Sequence, residues 1–262
     1  MSTTTSIVSP DGASPGALAD VPVAVLAGGL GTRLRSVLPD RPKVLAEVAG
    51  RPFLAYQLER LARAGIVDVV VCLGYLAGEI ERFIAAGDAF EGLQVRSSRE
   101  PVPLGTAGAL RLARKDAAGT FLALNGDSFF DVPLERLLAH HRRTGARATL
   151  AAARVTNAGR YGALELEGNG RVRRFLEKGG QGSGLVNAGI YVLEAAVLDG
   201  IPPDRPTSLE HDIFPALAAE GSLTAMAWDG YFIDIGIPDD LAGIDRDPGR
   251  LLEAVRSTEE SV

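Results

Sequence analysis

The chain has 262 residues, 46% hydrophobic and 23% charged, enough apolar material for one α/β domain with a large core or one domain with a small lid. A formal net charge of −6 argues against nucleic acid as the main partner. No apolar run reaches the length of a membrane span, and the lone cysteine, Cys72, can form no intramolecular disulfide.

Residues 1–20 are rich in Ser, Thr, Gly, Pro and Ala and lack a basic start and an apolar stretch. They read as a disordered leader, not a signal peptide, and favour the cytoplasm. Residues 21–26 form a short apolar run of buried-strand type. Residues 52–64 place Phe53, Leu54, Leu58 and Leu61 at helical spacing, with Gly65 as the stop. A second buried strand over 68–73 holds Cys72 as a small core hydrophobe. A helix over 77–86, a strand over 93–97, a helix over 105–113, a strand over 120–124 and a helix over 133–144, closed by Gly145, come next in chain order. This is the βαβ rhythm of a Rossmann-like, doubly wound, mostly parallel sheet.

From residue 148 the pattern becomes β-rich. Strands are expected over 148–155, 163–167, 172–177 and 189–193, extending the sheet, with a helix near 209–219. One domain over 21–248 is expected, in two parts, 21–147 and 148–248, with no obvious linker between them. A tail over 249–262 opens with a short helix over 250–256. His140, His141 and His211 have no metal-ligand partner at a usual spacing and read as solvated or structural. The oligomeric state is left open, a homo-oligomer included.

The segment Val23-Ala-Val-Leu-Ala-Gly-Gly-Leu-Gly-Thr-Arg-Leu34 breaks a strand into a glycine-rich turn. Such glycines let a ligand approach the backbone, and free N–H groups at the start of a subsequent helix attract phosphate. Leu26, Ala27, Gly28, Gly29, Gly31 and Thr32 would line it, and Arg33 adds a fixed cationic fork. The loop lacks the Lys-Ser/Thr of a P-loop, and Leu34 stands where a dinucleotide fingerprint needs its third glycine. The alternative for the loop alone is a plain strand-to-helix turn. Pro42-Lys43 comes soon after, so Arg33, Arg35, Arg41 and Lys43 cluster in an acidic chain, which points to a local anionic ligand.

Four further segments carry candidate chemistry. Glu100-Pro-Val-Pro-Leu-Gly-Thr-Ala-Gly-Ala109 reads as a loop and helix start, with Thr106 near the N-cap. Leu124-Asn-Gly-Asp127 ends a central strand, the edge where ligands of open α/β sheets collect. Asp127 there suits a hard divalent ion such as Mg²⁺, although an N-G-D turn needs no function. Gly230-Tyr-Phe-Ile-Asp-Ile-Gly236 sets Asp234 in an apolar run, where a carboxylate is costly unless paired or metal-bound. Phe175-Leu-Glu-Lys178 ends a strand in a Glu–Lys pair that alone reads as solvated. Val186-Asn-Ala-Gly-Ile190 offers Asn187 to hydroxyls, Tyr161-Gly162 offers backbone, and Glu210 after Thr207-Ser208 reads as helix capping rather than sugar binding.

In this order, over about 21–248, these segments resemble the sugar-1-phosphate nucleotidyltransferases, which open with G-G-x-G-T-R-L and a P-K pair. The resemblance implies an NTP and a sugar 1-phosphate as substrates, and a nucleotide sugar and pyrophosphate as products, with no covalent enzyme intermediate. It implies Arg33 and the loop amides at the leaving pyrophosphate, Lys43 at the α-phosphate, and Mg²⁺ on Asp127 and Asp234. Gly105, Thr106 and Gly108 would lie against base and ribose, with Asn125 beside the nucleotide. Lys178 would hold the sugar's phosphate, Glu177 a sugar hydroxyl, and Gly162 and Asn187 the sugar.

The F-I-D-I-G-I-P form, with Phe232 in place of Trp and Ile237 in place of Thr, looks more like the heptose-1-phosphate guanylyltransferase branch. So do Arg33-Leu-Arg-Ser-Val37, Asn125-Gly-Asp-Ser-Phe-Phe-Asp131 and Arg160-Tyr-Gly162. That branch implies GTP and D-glycero-α-D-manno-heptose 1-phosphate. Mannose-1-phosphate guanylyltransferases come next, and uridylyl-, cytidylyl- and thymidylyltransferases further off. From a different class, a non-catalytic nucleotide-sugar sensor would keep the pocket but lose a charged group, whereas this chain retains Arg33, Lys43, Asp127, Lys178 and Asp234.

Overall fold

The computed structural model describes residues 18–34, 38, 40–87, 90, 92–114, 118–161, 163–175 and 182–256. The expectations for residues 1–17 of the leader, for Gly162, Glu177 and Lys178, and for residues 257–262 of the tail lie outside them; the last three residues of the expected leader form an ordered turn whose Leu18 is buried in the core.

Seven strands build the central sheet: β1 (Val23–Leu26), β2 (Asp68–Leu73), β3 (Gln94–Arg99), β4 (Thr120–Asn125), β5 (Ala148–Val155), β6 (Gly184–Glu194) and β7 (Leu223–Trp228). Their order is β7-β5-β6-β4-β1-β2-β3. β6 runs antiparallel to β4 and β5, and every other neighbouring pair is parallel. Six strands thus share one direction, and their carboxyl ends meet along one edge.

Successive residues of a strand face opposite sides, and both sides here are covered. Val23, Val25, Val69 and Val71 pack with Leu54, Leu58 and Leu61 of α1 (Phe53–Arg63), Ile80 of α2 (Ala77–Ala85) and Leu137 of α4 (Leu134–Thr144). Ala24, Val70 and Cys72 point the other way, onto Leu110 of α3 (Gly105–Ala113) and the layer holding Phe214 and Leu217 of α5 (Phe214–Ala219). Two-sided burial is why these strands read as unbroken apolar runs. Each such side chain contributes about 1.5–3 kcal/mol of transfer free energy.

A third cluster lies beyond the carboxyl edge. Phe53, Tyr56 and Phe129 pack there with Ile235, with Ile244 of α6 (Pro238–Arg246) and with Leu251 of α7 (Gly249–Arg256). It anchors the ribbon in which Phe232–Asp234 pairs antiparallel with Ser128–Phe130.

The second half departs from expectation in three ways. The segments near 164 and 172 do not extend the sheet as strands: Leu164–Leu166 and Val172–Phe175 form a ribbon of their own, tied to the sheet by isolated bridges from Ala163 to Val186 and from Arg171 to Thr224. The sheet is extended instead by β7, a strand not expected from the sequence. The strand expected over 189–193 is an eleven-residue strand, bent where its register to β5 shifts between Asn187 and Tyr191. Gly189 sits in that bend at φ +75°, where a Cβ would lie 2.5 Å from Ser128 Oγ. Only glycine fits this crossing without strain.

Candidate active site

The turn after β1 is held by its backbone. Ala27 N–H donates to Cys72 O at 2.9 Å, and Tyr75 N–H donates to Gly28 O at 3.3 Å. A Cβ on Gly28 would come within 3.0 Å of Gly74 N, so the two loops touch through bare backbone. Gly29 faces open space, and Gly31 takes φ +57° to turn the chain. The chain then enters a 3₁₀ turn, Thr32–Leu34, anchored by buried Leu34.

Pro42 starts a second 3₁₀ turn, Lys43–Leu45, which buries Val44 and Leu45 and sends Lys43 across the sheet edge. There Lys43 Nζ lies 2.6 Å from Asp127 Oδ2 and 3.7 Å from Asp234 Oδ1, with 12% of its side chain exposed. Asp127 comes after Gly126, whose N–H donates to Leu26 O at 2.8 Å. Asp234 comes from the ribbon beside it, where Ile235 N–H donates to Asp127 O at 3.0 Å. Gly236 N–H donates to Asp234 Oδ1 at 2.6 Å. Burial and the neighbouring Asp127 charge push the Asp234 carboxyl above the usual range, against the pull of Lys43 and Arg33.

Two cavities open along this edge. The first, about 310 Å³, is mostly apolar and is lined by Leu26, Ala27, Gly28, Gly29, Lys43, Glu100, Gly105, Thr106 and Asn125. The second, about 180 Å³, is polar and is lined by Arg33, Ser128, Tyr161, Asn187, Gly189, Phe232 and Asp234. They meet at Asn125, Asp127 and Glu210. Gly31 lines only a small recess with Leu34 and Arg41, and Thr32 lines none of these three spaces.

Four residues not assigned in the sequence complete the site. Gln57, buried on α1, donates from Nε2 to Asn125 O at 3.1 Å and Ser128 O at 2.7 Å, fixing the turn that carries Asp127. Glu100 accepts from Leu104 N–H at 2.9 Å, and burial pushes its carboxyl upward. A carboxylate inside a Pro-rich apolar loop was the signal available for it. Tyr191, fully buried, receives Asn187 Nδ2 at 3.1 Å.

Glu210 is the fourth, and it corrects the capping expectation. Ser208 is the cap: its Oγ accepts from the N–H groups of Glu210 and His211, and Asp212 accepts from Ser208 N–H. The chain enters α5 through one wide turn, Leu209–Ile213, and the Glu210 side chain lies against the start of α3. Thr106 does not cap α3 either. Its hydroxyl accepts from Leu209 N–H at 2.7 Å and donates to Glu210 Oε2 at 2.9 Å.

Among the described residues no group of three or more His, Cys, Asp or Glu is placed to hold a metal. Asp127 and Asp234, already drawn to one cation, would suit a hard divalent ion such as Mg²⁺.

An open, mostly parallel sheet carrying a glycine loop, a lysine between two aspartates and paired cavities at its carboxyl edge is the build of a nucleotide-handling transferase. The chain belongs to the nucleotidyl transferase family, whose model matches residues 23–247. It is 39% identical over 221 residues to the mannose-1-phosphate guanylyltransferase catalytic subunit beta of Danio rerio and 38% identical to that of Xenopus tropicalis. Each match covers 82% of this chain, which spans 61% of the length of those relatives. The fold is also that of HddC from Yersinia pseudotuberculosis, solved in complex with GMP-PN. There the TM-score is 0.78 at 32% identity, covering 86% of this chain and 98% of that one.

Proposed function

We propose that the protein is a sugar-1-phosphate guanylyltransferase that converts GTP and a manno-configured sugar 1-phosphate into a GDP-sugar and pyrophosphate. The observation that carries this reading is the Lys43–Asp127–Asp234 cluster at the junction of an apolar and a polar cavity. The nucleotide takes the apolar cavity, its base beside Gly105 and Thr106. The sugar takes the polar one, beside Asn187. An oxygen of the sugar's phosphate attacks the α-phosphorus of GTP, and the bond from that phosphorus to the pyrophosphate breaks in line.

Catalysis in this scheme is positioning plus charge neutralisation. Lys43 offsets charge at the α-phosphate. Arg33 and the amides of the Gly28–Gly31 loop receive the departing pyrophosphate. Lys178 holds the phosphate of the sugar 1-phosphate, Glu177 a sugar hydroxyl, and the Gly162 backbone lies close to the sugar ring. Mg²⁺ on Asp127 and Asp234 would supply a Lewis acid that bridges phosphates. The reaction belongs in the cytoplasm, where GTP is supplied.

Glu100 supports GTP as the donor. Guanine offers adjacent N1–H and N2–H donors, a pair that one carboxylate can accept together, whereas adenine offers an acceptor at N1. The guanylyltransferase relatives point the same way. For the sugar, the F-I-D-I-G-I-P form of 232–238 supports D-glycero-α-D-manno-heptose 1-phosphate, and the relatives' names support mannose 1-phosphate. The two differ only beyond C6.

Pyrophosphate release from purified protein with Mg²⁺, each NTP and a panel of heptose, mannose and glucose 1-phosphates tests this. Release with GTP and the heptose substrate is expected, and GTP with mannose 1-phosphate alone would transfer the reading to that sugar. Silence across the panel from folded protein that still binds nucleotide sugar would favour the non-catalytic sensor.

A further inference from the structure

Glu210 stands where the two cavities meet, beside Asn125 and Asp127. Its two oxygens are held unequally. Thr106 Oγ1 and Ser208 Oγ each donate to Oε2 at 2.9 Å. Both hydroxyls already accept backbone N–H groups, so their protons are committed to this carboxylate. Among the described residues Oε1 receives only the Tyr191 hydroxyl, at 3.4 Å. Among the described residues no Lys, Arg or His pairs with Glu210. A half-buried carboxylate fixed through one oxygen retains acceptor capacity on the other.

The same network runs into the polar cavity. Asn187 Nδ2 donates to Tyr191 OH, and Asn187 Oδ1 accepts from Gly189 N–H at 3.0 Å. Asn187, Tyr191 and Glu210 therefore form one connected chain, whose exposed ends both lie in the second cavity. A negative group there repels phosphate and attracts hydroxyl donors. We infer that Glu210 Oε1 accepts a hydrogen bond from a ring hydroxyl of the sugar 1-phosphate and selects the sugar by it. This rests on the guanylyltransferase reading above and adds the residue that discriminates sugars within it.

The test is steady-state kinetics of wild type, Glu210→Ala and Glu210→Gln, with GTP and a set of monodeoxy sugar 1-phosphates, after wild-type turnover has been established. A hydrogen bond to a charged group predicts that Glu210→Ala lowers kcat/KM for the sugar phosphate about ten- to a hundredfold, leaving KM for GTP within about twofold. One deoxy analogue should lose that factor with wild type and nothing more with Glu210→Ala. Glu210→Gln keeps an acceptor for Thr106 and Ser208, so it tests the contact if the alanine variant fails to fold. Equal deoxy penalties in all three enzymes, or coupling to 2′-deoxy-GTP instead of a sugar analogue, would overturn the inference while leaving the guanylyltransferase intact. Wild-type silence with every pair would overturn both.

Discussion

Lys43 Nζ lies 2.6 Å from Asp127 Oδ2, where one ammonium neutralises a carboxylate of the proposed Mg²⁺ site. The same ammonium is 3.7 Å from Asp234 Oδ1, so a cation entering without nucleotide has to displace it from both carboxylates. With phosphates present, Lys43 gains an anionic partner besides the two carboxylates and can move. Lys43→Met should therefore have two opposite effects. Turnover should fall at least about a hundredfold, as expected for loss of a charge at the reacting phosphate. Mn²⁺ binding to nucleotide-free protein, read by electron paramagnetic resonance, should tighten about tenfold, worth about 1.4 kcal/mol. Unchanged Mn²⁺ affinity would show that Lys43 does not compete for the carboxylates. Asp234→Asn should abolish turnover with little change in Tm, because burial already opposes the charged form there. Full Mg²⁺-dependent activity in that variant would remove Asp234 from the metal site.

Glu100 gives a prediction about the base. Its Oε2 is held by Leu104 N–H, so the carboxylate is fixed against the apolar cavity rather than waving in solvent. Glu100→Gln replaces one acceptor oxygen with a donor and should lower kcat/KM for GTP about ten- to a hundredfold. Activity with UTP should change much less, so the ratio between the two narrows. Inosine triphosphate, which lacks the N2 amine, should already be impaired with wild type and be affected less by the substitution. A ratio of GTP to UTP that survives Glu100→Gln would assign base selection to the backbone.

Much of this was legible in the chain because its causes are local. β1, β2 and β4 are buried on both faces and so appear as apolar runs, and Gly65 and Gly145 stop helices by taking positive φ. Asp234 stands out for the same kind of reason, a carboxylate in an apolar stretch. What stayed illegible depends on contacts far apart in sequence. Thr106 looks like a cap for its own helix, yet it holds Glu210, 104 residues on. Gln57 is an ordinary polar residue on an amphipathic helix until the Asp127 turn is laid over it. The ribbon carrying Asp234 has too few residues for periodicity to register, and its partner Ser128–Phe130 comes directly after the N-G-D turn.

Gly189 joins fold and site in one residue. At φ +75° a side chain costs about 1–2 kcal/mol in backbone strain alone. A Cβ would also lie 2.5 Å from Ser128 Oγ and 2.9 Å from Asn125 Nδ2, both lining the polar cavity. Gly189→Ala should thus destabilise by at least about 2 kcal/mol and lower Tm by about 4–8 °C. It should raise KM for the sugar phosphate more than KM for GTP, because the displaced atoms face the sugar side. A variant with wild-type Tm would mean that β6 can relax at the bend, and the kinetic effect should then vanish with it.

His140 predicts the direction of a pH effect on stability. It lies on α4, its Nε2 is buried without a hydrogen-bond partner, and its Nδ1 is 3.1 Å from Arg143 Nη2. Burial first, then the nearby Arg143 and His141, push its pKa below the ordinary imidazole range. In the unfolded chain the ring takes up its proton near about pH 6.5, whereas the folded chain takes it up only at lower pH. Between those two values the unfolded state binds more protons, so acidification favours unfolding. The stability His140 contributes as a neutral ring is complete above about pH 6.5 and is lost as pH falls through that window. Half-buried Glu100 and Asp131 act with the opposite sign, because their partial burial raises their pKa values and their protonation on acidification favours the folded chain. The informative quantity is therefore the difference between wild type and His140→Gln, not the raw slope. Tm measured from about pH 7.5 to about pH 5 should fall more steeply for wild type than for His140→Gln. Parallel slopes would mean that His140 carries no net proton linkage and that its buried Nε2 finds a partner on protonation.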